Sequence, residues 1–453
     1  MAVLEKHTLI KVGSHADFTN PIVEIQIFNL SQFHRECETV ELDPQVVAEK
    51  FMSRVDIWHH SSLSNYVPDF LMSHKLIVVD GLSSRILDSQ IYSSESNSAP
   101  DKLLFQVDFA PGETRTFEIL ATMDAMGSIV TPPPIVKTFA RYVPERHDDF
   151  AWERDRIAHR MFGKALESWQ AEPLTSSGVD VWIKRTHSLI VNDMYRTMNF
   201  FDLNGPAQDD YRVGKGRGCG GLGIWKEGKL YVSSNWRTYK VITTGPIRSE
   251  FELTYDAWDA GGRKISETKR ISIDAGSNLS RVESSFSSDD NSPLQIGVGL
   301  AERPGANVVL SMDTRLLDPW SIINPWQNST DQGLVVQNQK EGWMAYWQPQ
   351  DFNKGTTAVA IMLPKGSVEM FTNDLPDLPA GAFRAPTNTV TEGQPAIRNL
   401  LAVASAEIGK PFVYYLGAGW SESGDFPDAA AWDKYVRRFA ERRDQPLQVT
   451  IGN

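Results

Sequence analysis

Leu103-Leu104-Phe105-Gln106-Val107-Asp108-Phe109 runs into Ala110-Pro111-Gly112-Glu113 and then into Thr114-Arg115-Thr116-Phe117-Glu118-Ile119-Leu120. Apolar and polar residues alternate in both flanking runs, and a Pro-Gly turn separates them. Alternation with period two, bounded by turn residues, marks half-buried antiparallel strands. Ile22-Val23-Glu24-Ile25-Gln26-Ile27-Phe28 reads the same way. About seven such runs between Leu9 and Leu120 would make a small β-sandwich. One interruption, Asp43 to Met52, places Pro44 at a start position with Val47 and Phe51 four apart, which predicts a short helix.

Working outward, Thr131-Pro132-Pro133-Pro134 is a stiff extended linker, with Gly127 and Ser128 before it. A chain of 453 residues is too long for one ordinary core. The expected division is therefore an N-terminal sandwich over 1–130 and a larger domain over 131–453. Beyond the linker, strand-like runs recur: 230–234, 239–244, 247–255, 265–273, 279–286, 294–300, 308–312, 333–337, 342–347, 357–363, 368–371 and 397–404. Turns at Asp259-Ala-Gly-Gly, Asp274-Ala-Gly-Ser and Asp289-Asp290-Asn291 punctuate them. The stretch from Asp180 to Val191 reads as a strand or as the approach to a helix. No helices alternate with the strands, which argues against a doubly wound or barrel α/β fold. The fold class is mainly β, a large antiparallel sandwich closed by a C-terminal helix over 427–442. There Trp432, Tyr435, Val436 and Phe439 recur at helical spacing behind Pro427 and Asp428.

The formal net charge of −12 argues against a nucleic-acid partner, although a local basic patch can still hold a small anion. No apolar run is long enough to span a membrane. Met1 to His15 lacks the apolar middle of a signal peptide. The expected compartment is thus the cytoplasm for a complete chain, or the periplasm or exterior if a signal was removed. Cys37 and Cys219, the only 2 cysteines, read as separate thiols rather than a disulfide.

Chemistry-bearing residues concentrate in two segments, Tyr142 to Arg156 and Asp209 to Trp225. They are read as two halves of one site. The glycine run Gly214 to Gly223 lacks the Gly-Lys-Ser/Thr closure of a phosphate loop. It reads as a loop or bulged strand where a backbone approaches something closely. The histidines show no local zinc spacing, and a Gly-x-Ser-x-Gly elbow is absent. What remains suits an anionic sugar. Catalytic candidates are Tyr211, His187, Arg156 and His147. Substrate-binding candidates are Trp152, Glu153, Asp210, Arg212, Lys215, Arg217 and Trp225. Aromatics stack on the ring, Arg holds a carboxylate in a fork, and Tyr or His moves a proton. For any single charged residue here, a salt-bridged sandwich edge is the better reading; the functional reading is a joint one.

Asp148-Asp149-Phe150-Ala151-Trp152-Glu153-Arg154-Asp155-Arg156, Asp210-Tyr211-Arg212-Val213-Gly214, Gly245-Pro246-Ile247-Arg248, Asp274-Ala275-Gly276-Ser277-Asn278-Leu279 and Gly417 to Pro427 carry a resemblance. The chain resembles a domain family of unknown function from bacterial loci that degrade uronate-containing polysaccharides. Arg154 stands where the family pattern has Asn. The resemblance implies a sandwich similar to galactose mutarotases and several polysaccharide lyases. It also implies a link to a dehydratase acting on the terminal sugar of ulvan-type oligosaccharides.

The leading functional expectation is a carbon–oxygen lyase or dehydratase that acts by β-elimination on acidic oligosaccharides. Such chemistry needs a neutralised carboxylate, a base and a donor to the leaving oxygen. Arg156, Arg212 or Arg217 would serve the first need, and Tyr211 or His187 the others, with an arginine lowering the Tyr211 pKa. No cofactor is required, and a charge-neutralising metal is left open. The alternatives are a mutarotase or epimerase using Glu153 with His187, a glycoside hydrolase, and a non-catalytic glycan-binding protein.

Overall fold

The computed structural model describes residues 22–54, 66–96, 98–123, 133–170, 173–200, 202, 204–209, 211–310, 333–349, 355–374 and 396–452. The chain divides into two compact units: 1–137 with 242–248 and 442–453, and 138–241 with 249–441. Most of the expected proline linker lies outside the described residues, as do His7, His15, His59 and His60.

The first unit holds a small sandwich. One sheet orders Gln448–Ile451, Ile22–Phe28, Thr114–Met123, His74–Asp80 and Arg85–Leu87. The other orders Arg35–Leu42, Lys102–Phe109 and Ser89–Tyr92. The Pro111-Gly112 turn does not close a hairpin. It carries the chain from one sheet to the other, with Gly112 at φ 66. Alternate residues Val23, Ile25, Ile27, Phe105, Phe117 and Ile119 fill the space between the sheets. The helix Pro44–Arg54 adds Val47 and Phe51 to that core.

In the second unit a nine-stranded sheet faces a five-stranded one. Ile271, Val282 and Tyr414 from the first meet Leu222, Ile296 and Val298 from the second in one core. The glycine run forms the bulged strand Cys219–Lys226, whose register shifts between Cys219 and Gly221. At Gly220 (φ 95) a Cβ would meet the Leu416 side chain at 2.5 Å, so the close approach is between sheets. In the nine-stranded sheet the strands from Lys264–Asp274 to Gly333–Asn338 pair antiparallel, and at its end Ala306–Leu310 pairs in parallel with Gly333–Asn338. That pair departs from the all-antiparallel expectation.

The C-terminal helix, Ala429–Asp444, lies on the outer face of the nine-stranded sheet. Trp432 and Val436 are buried there, and Tyr435 and Phe439 partly so. No disulfide joins the two cysteines. Among the described residues, no helix is long and apolar enough to cross a membrane.

A second five-stranded sheet positions the chemistry. Its order is Ala207–Asp209, Asp180–Lys184, Ala158–Met161, Asp149–Arg154 and Thr138–Val143. Side chains alternate across it. Phe150, Trp152, Met161, Val181 and Ile183 enter the main core. Ala151, Ala158 and Trp182 lie under the helix Val191–Thr197 with Met194 and Tyr195.

Candidate functional site

Three loops meet beyond the Arg154 end of this sheet. The Asp149–Arg154 strand stops in a tight turn, closed by the Arg154 amide donating to the Ile157 carbonyl at 3.1 Å. Within that turn the Asp155 carboxylate accepts the Gly276 amide at 2.7 Å, which holds Arg156 outside the strand. The loop after Asp180–Lys184 brings His187. The loop after Phe412–Trp420 brings Asp425, shaped by Gly424 at φ 90 and by the Asp425 amide donating to Ser423 Oγ at 3.2 Å.

Arg156 Nη1 donates to Asp425 Oδ1 at 2.7 Å and lies 3.3 Å from His187 Nε2. His187 Nε2 is also 3.8 Å from Asp425 Oδ2. The His187 side chain is 58% exposed, whereas Arg156 and Asp425 are each 23% exposed. A histidine, an arginine and a carboxylate thus share one half-open place. Next to it the Arg185 guanidinium lies 4.4 Å above the buried Trp420 ring.

Glu153 and Lys184 support this place from beneath. Buried Glu153 accepts the backbone amides of Ile190 (2.8 and 2.9 Å) and Val191 (2.7 Å) and the Lys184 ammonium at 3.1 Å. Lys184 also donates to the Arg154 carbonyl at 2.7 Å, and burial pulls its pKa down. The carboxylate satisfies amides at the start of the Val191–Thr197 helix, which fixes the loop bearing His187. Glu153 is therefore engaged in holding that loop. The mutarotase arrangement of Glu153 opposite His187 does not fit this geometry.

At the other end of the strand the charges are buried. Arg160 donates to Asp180 (2.8 Å from Nε), to Asp149 (3.3 Å) and to Asp209 (2.8 Å). Tyr195 adds its hydroxyl to Asp149 at 3.2 Å. Burial, partly offset by Arg160 and Arg146, pushes Asp149 up to about 6. Burial and the nearby Asp209 raise Asp180 as well, while the three acids hold Arg160 well above its usual value despite its burial. Beyond this cluster, His147 adopts a left-handed backbone (φ 50) and stacks on Trp169 at 4.2 Å. The six-residue strand Asp149–Arg154, roughly 20 Å long, runs between the two ends. The two ends do not form one site with each other.

Other sequence candidates take interior positions. Trp152 is fully buried against Phe251 and His159, with its indole N–H directed to Ser280 Oγ at 3.4 Å. It has no face open to a sugar. Arg217 is buried, donates to Ser177 Oγ at 3.0 Å and is lowered to about 10 by burial. Trp225 packs on Leu230, Leu401 and Val403. Arg212 is half-buried and Lys215 exposed, and Asp210 lies outside the described residues. Tyr211 is buried beneath the Arg303 guanidinium, 4.6 Å from its ring. The expectation that an arginine would lower the Tyr211 pKa does not hold. Burial outweighs the guanidinium and drives the value well above the ordinary phenol range.

The sequence reading missed Asp425, although Gly424-Asp425 stands in a quoted motif. It also missed Lys184, Arg160, Asp180 and Arg303, because each acts through a partner distant in sequence. Among the described residues, no cluster of three or more His, Cys, Asp or Glu is arranged to hold a metal ion.

The profile of a family described as a domain of unknown function, DUF4861, matches residues 29–449. The chain belongs to the DUF4861 family. "Uncharacterized protein P7" of Formosa agariphila is 30% identical over 386 residues, covering 83% of this chain and 84% of that protein. Two solved structures from Enterococcus faecalis share 10% and 9% identity with this DUF4861 chain. One is an alpha-mannosidase (TM-score 0.45, 98% of this chain and 47% of that one). The other is a glycosyl hydrolase family 38 protein (TM-score 0.44, 96% and 48%). The chain spans about half the length of each.

Proposed function

We propose that this chain is a carbohydrate-active lyase or dehydratase that performs β-elimination on uronate-containing oligosaccharides at the Arg156–His187–Asp425 cluster. The observation that carries the reading is the meeting of an exposed imidazole with a guanidinium and a carboxylate on three separate loops. Arg156 would neutralise the substrate carboxylate. Its fork has five donors, and Nη1 serves Asp425 and His187. His187 would take the proton from the carbon next to that carboxylate. The bond from the neighbouring carbon to its oxygen then breaks, and a carbon–carbon double bond forms. The proton returns to the departing oxygen, giving an alcohol or water. Asp425 would orient both partners, as a carboxylate beside a catalytic histidine does.

The resemblance to a family from uronate-degrading loci supports the substrate class. The acidic chain, with its half-open arginine, is compatible with capture of an anion at one local place. The reading is tested by incubating the full chain with uronate oligosaccharides, ulvan-type ones included. Ultraviolet absorbance and mass are then followed. An unsaturated product is expected. Addition of water to give shorter saturated fragments would overturn elimination in favour of hydrolysis, and no conversion of any acidic oligosaccharide would overturn the enzyme reading.

A further inference from the structure

Beside the Arg156 cluster stands an arginine without a carboxylate. Arg185 directly follows the strand Asp180–Lys184 and is exposed. Its guanidinium lies 4.4 Å from the centre of the buried Trp420 ring. Nη1 donates to the Gly205 carbonyl at 3.3 Å, and the backbone amide donates to the Pro206 carbonyl at 2.8 Å. Among the described residues the side chain has no carboxylate partner. Acids of the neighbouring loops are engaged elsewhere. Asp155 accepts the Gly276 amide, and Asp425 accepts from Arg156 Nη1. A chain with a net charge of −12 has carboxylates to spare, and this guanidinium meets none among the described residues.

A free arginine side chain samples many rotamers, and ordering it costs entropy when a ligand binds. Stacking on the fixed Trp420 ring already restricts Arg185, because an aromatic face attracts a guanidinium. The guanidinium carries five N–H donors in a rigid fork. Nη1 has a protein acceptor, whereas Nε and Nη2 have none among the described residues. That fork matches the paired oxygens of an oxyanion. Solvent reaches it directly, so a ligand needs no cavity to enter. The loops that build the cluster also fix its place. Arg185 precedes His187 by two residues, which keeps their Cα atoms within about 7 Å. Trp420 ends the strand whose following loop carries Asp425, and the Asp180–Lys184 strand packs against the Ser421–Ser423 turn. Arg156 and Arg185 therefore present two cations along one rim.

We propose that Arg185 binds a second oxyanion of the substrate, a carboxylate or a sulfate on the sugar next to the uronate held by Arg156. The proposal rests on the reading of the Arg156 cluster as the uronate site, and it makes the preferred substrate doubly anionic. The test is calorimetric titration of the full chain with three disaccharides: glucuronate joined to a neutral hexose, the same compound with a sulfate on the hexose, and diglucuronate. At least one doubly anionic compound is expected to bind roughly tenfold or more tighter than the singly anionic one. Which of the two gains identifies the second group as sulfate or carboxylate. Arg185→Leu should remove that gain and leave affinity for the singly anionic disaccharide unchanged. Arg185→Lys keeps the charge without the fork and should fall between. Equal loss for all three compounds in Arg185→Leu, or no loss for any, would overturn the proposal. A lower Tm with unchanged affinities would assign Arg185 to covering Trp420 alone, and would overturn it too. Binding of the singly anionic compound with no gain from a second anion would sink Arg185 while leaving the cluster reading in place. No binding of any of the three would overturn both. Affinity is the readout, so an Arg185-dependent gain without unsaturated product would support this proposal and count against elimination.

Discussion

The two ends of the Asp149–Arg154 strand each carry an arginine among carboxylates, and they differ in what surrounds the charges. At one end Arg160 meets Asp149, Asp180 and Asp209 beneath a helix, with Arg160, Asp149 and Asp180 almost wholly buried. At the other end Arg156 meets Asp425 and His187 with all three reached by solvent. Burial makes the first set strongly coupled and expensive to disturb, since little water screens it. Exposure leaves the second set weak as a source of stability and available to a substrate. The same residue types thus serve structure at one end and fit chemistry at the other.

The largest effect should come from Arg160→Met. Three carboxylates would lose their common cation, and removing one partner from a buried charged set costs about 3–5 kcal/mol. Denaturant unfolding would measure it. A loss below about 1 kcal/mol would mean that the acids are already neutral or hydrated, and the contrast between the two ends would fail.

Asp149→Asn should act in the opposite direction. Its folded-state value is raised from 3.8 to about 6. The folded chain therefore holds that proton more tightly than the unfolded chain does. The associated stability is complete below the ordinary carboxylate value and is lost as pH rises through about 6. The full difference is at most about 3 kcal/mol. The variant should have a flatter melting profile between pH 4 and 6, and at higher pH it should melt above the parent. An unchanged slope would show that Asp149 does not hold its proton in the fold.

Glu153→Gln should cost about 1–3 kcal/mol, since it removes a charge that Lys184 and two backbone amides share. Hydrogen exchange should also quicken at the Ile190 and Val191 amides. If exchange there stays at the parental rate, Glu153 does not hold the His187 loop, and the account of how the open end is positioned loses its support.

The legibility of these regions in the sequence follows from range. Period-two alternation around Phe105 and Phe117 identified strands because neighbours in sequence alternate across a sheet. It did not show that the Pro111-Gly112 turn passes between sheets, since alternation carries no pairing information. The Trp432 helix was legible because spacing and a start signal coincide within a few turns. Trp152, Arg217 and Tyr211 looked like site residues because aromatic and charged types are usually displayed at sites. Each instead fills or braces an interior, and no local pattern separates a buried arginine such as Arg217 from an exposed one such as Arg156. Arg156 and His187 were found as types. Their partner Asp425 was not, because 269 residues separate it from Arg156.

The most direct measurement is turnover of an acidic oligosaccharide by His187→Ala beside its melting curve. The side chain is exposed, so stability should stay within about 0.5 kcal/mol of the parent. Turnover to unsaturated product should fall on the order of 10² to 10⁴-fold, as for the loss of a general base. Parental turnover in a stably folded His187→Ala would contradict the account.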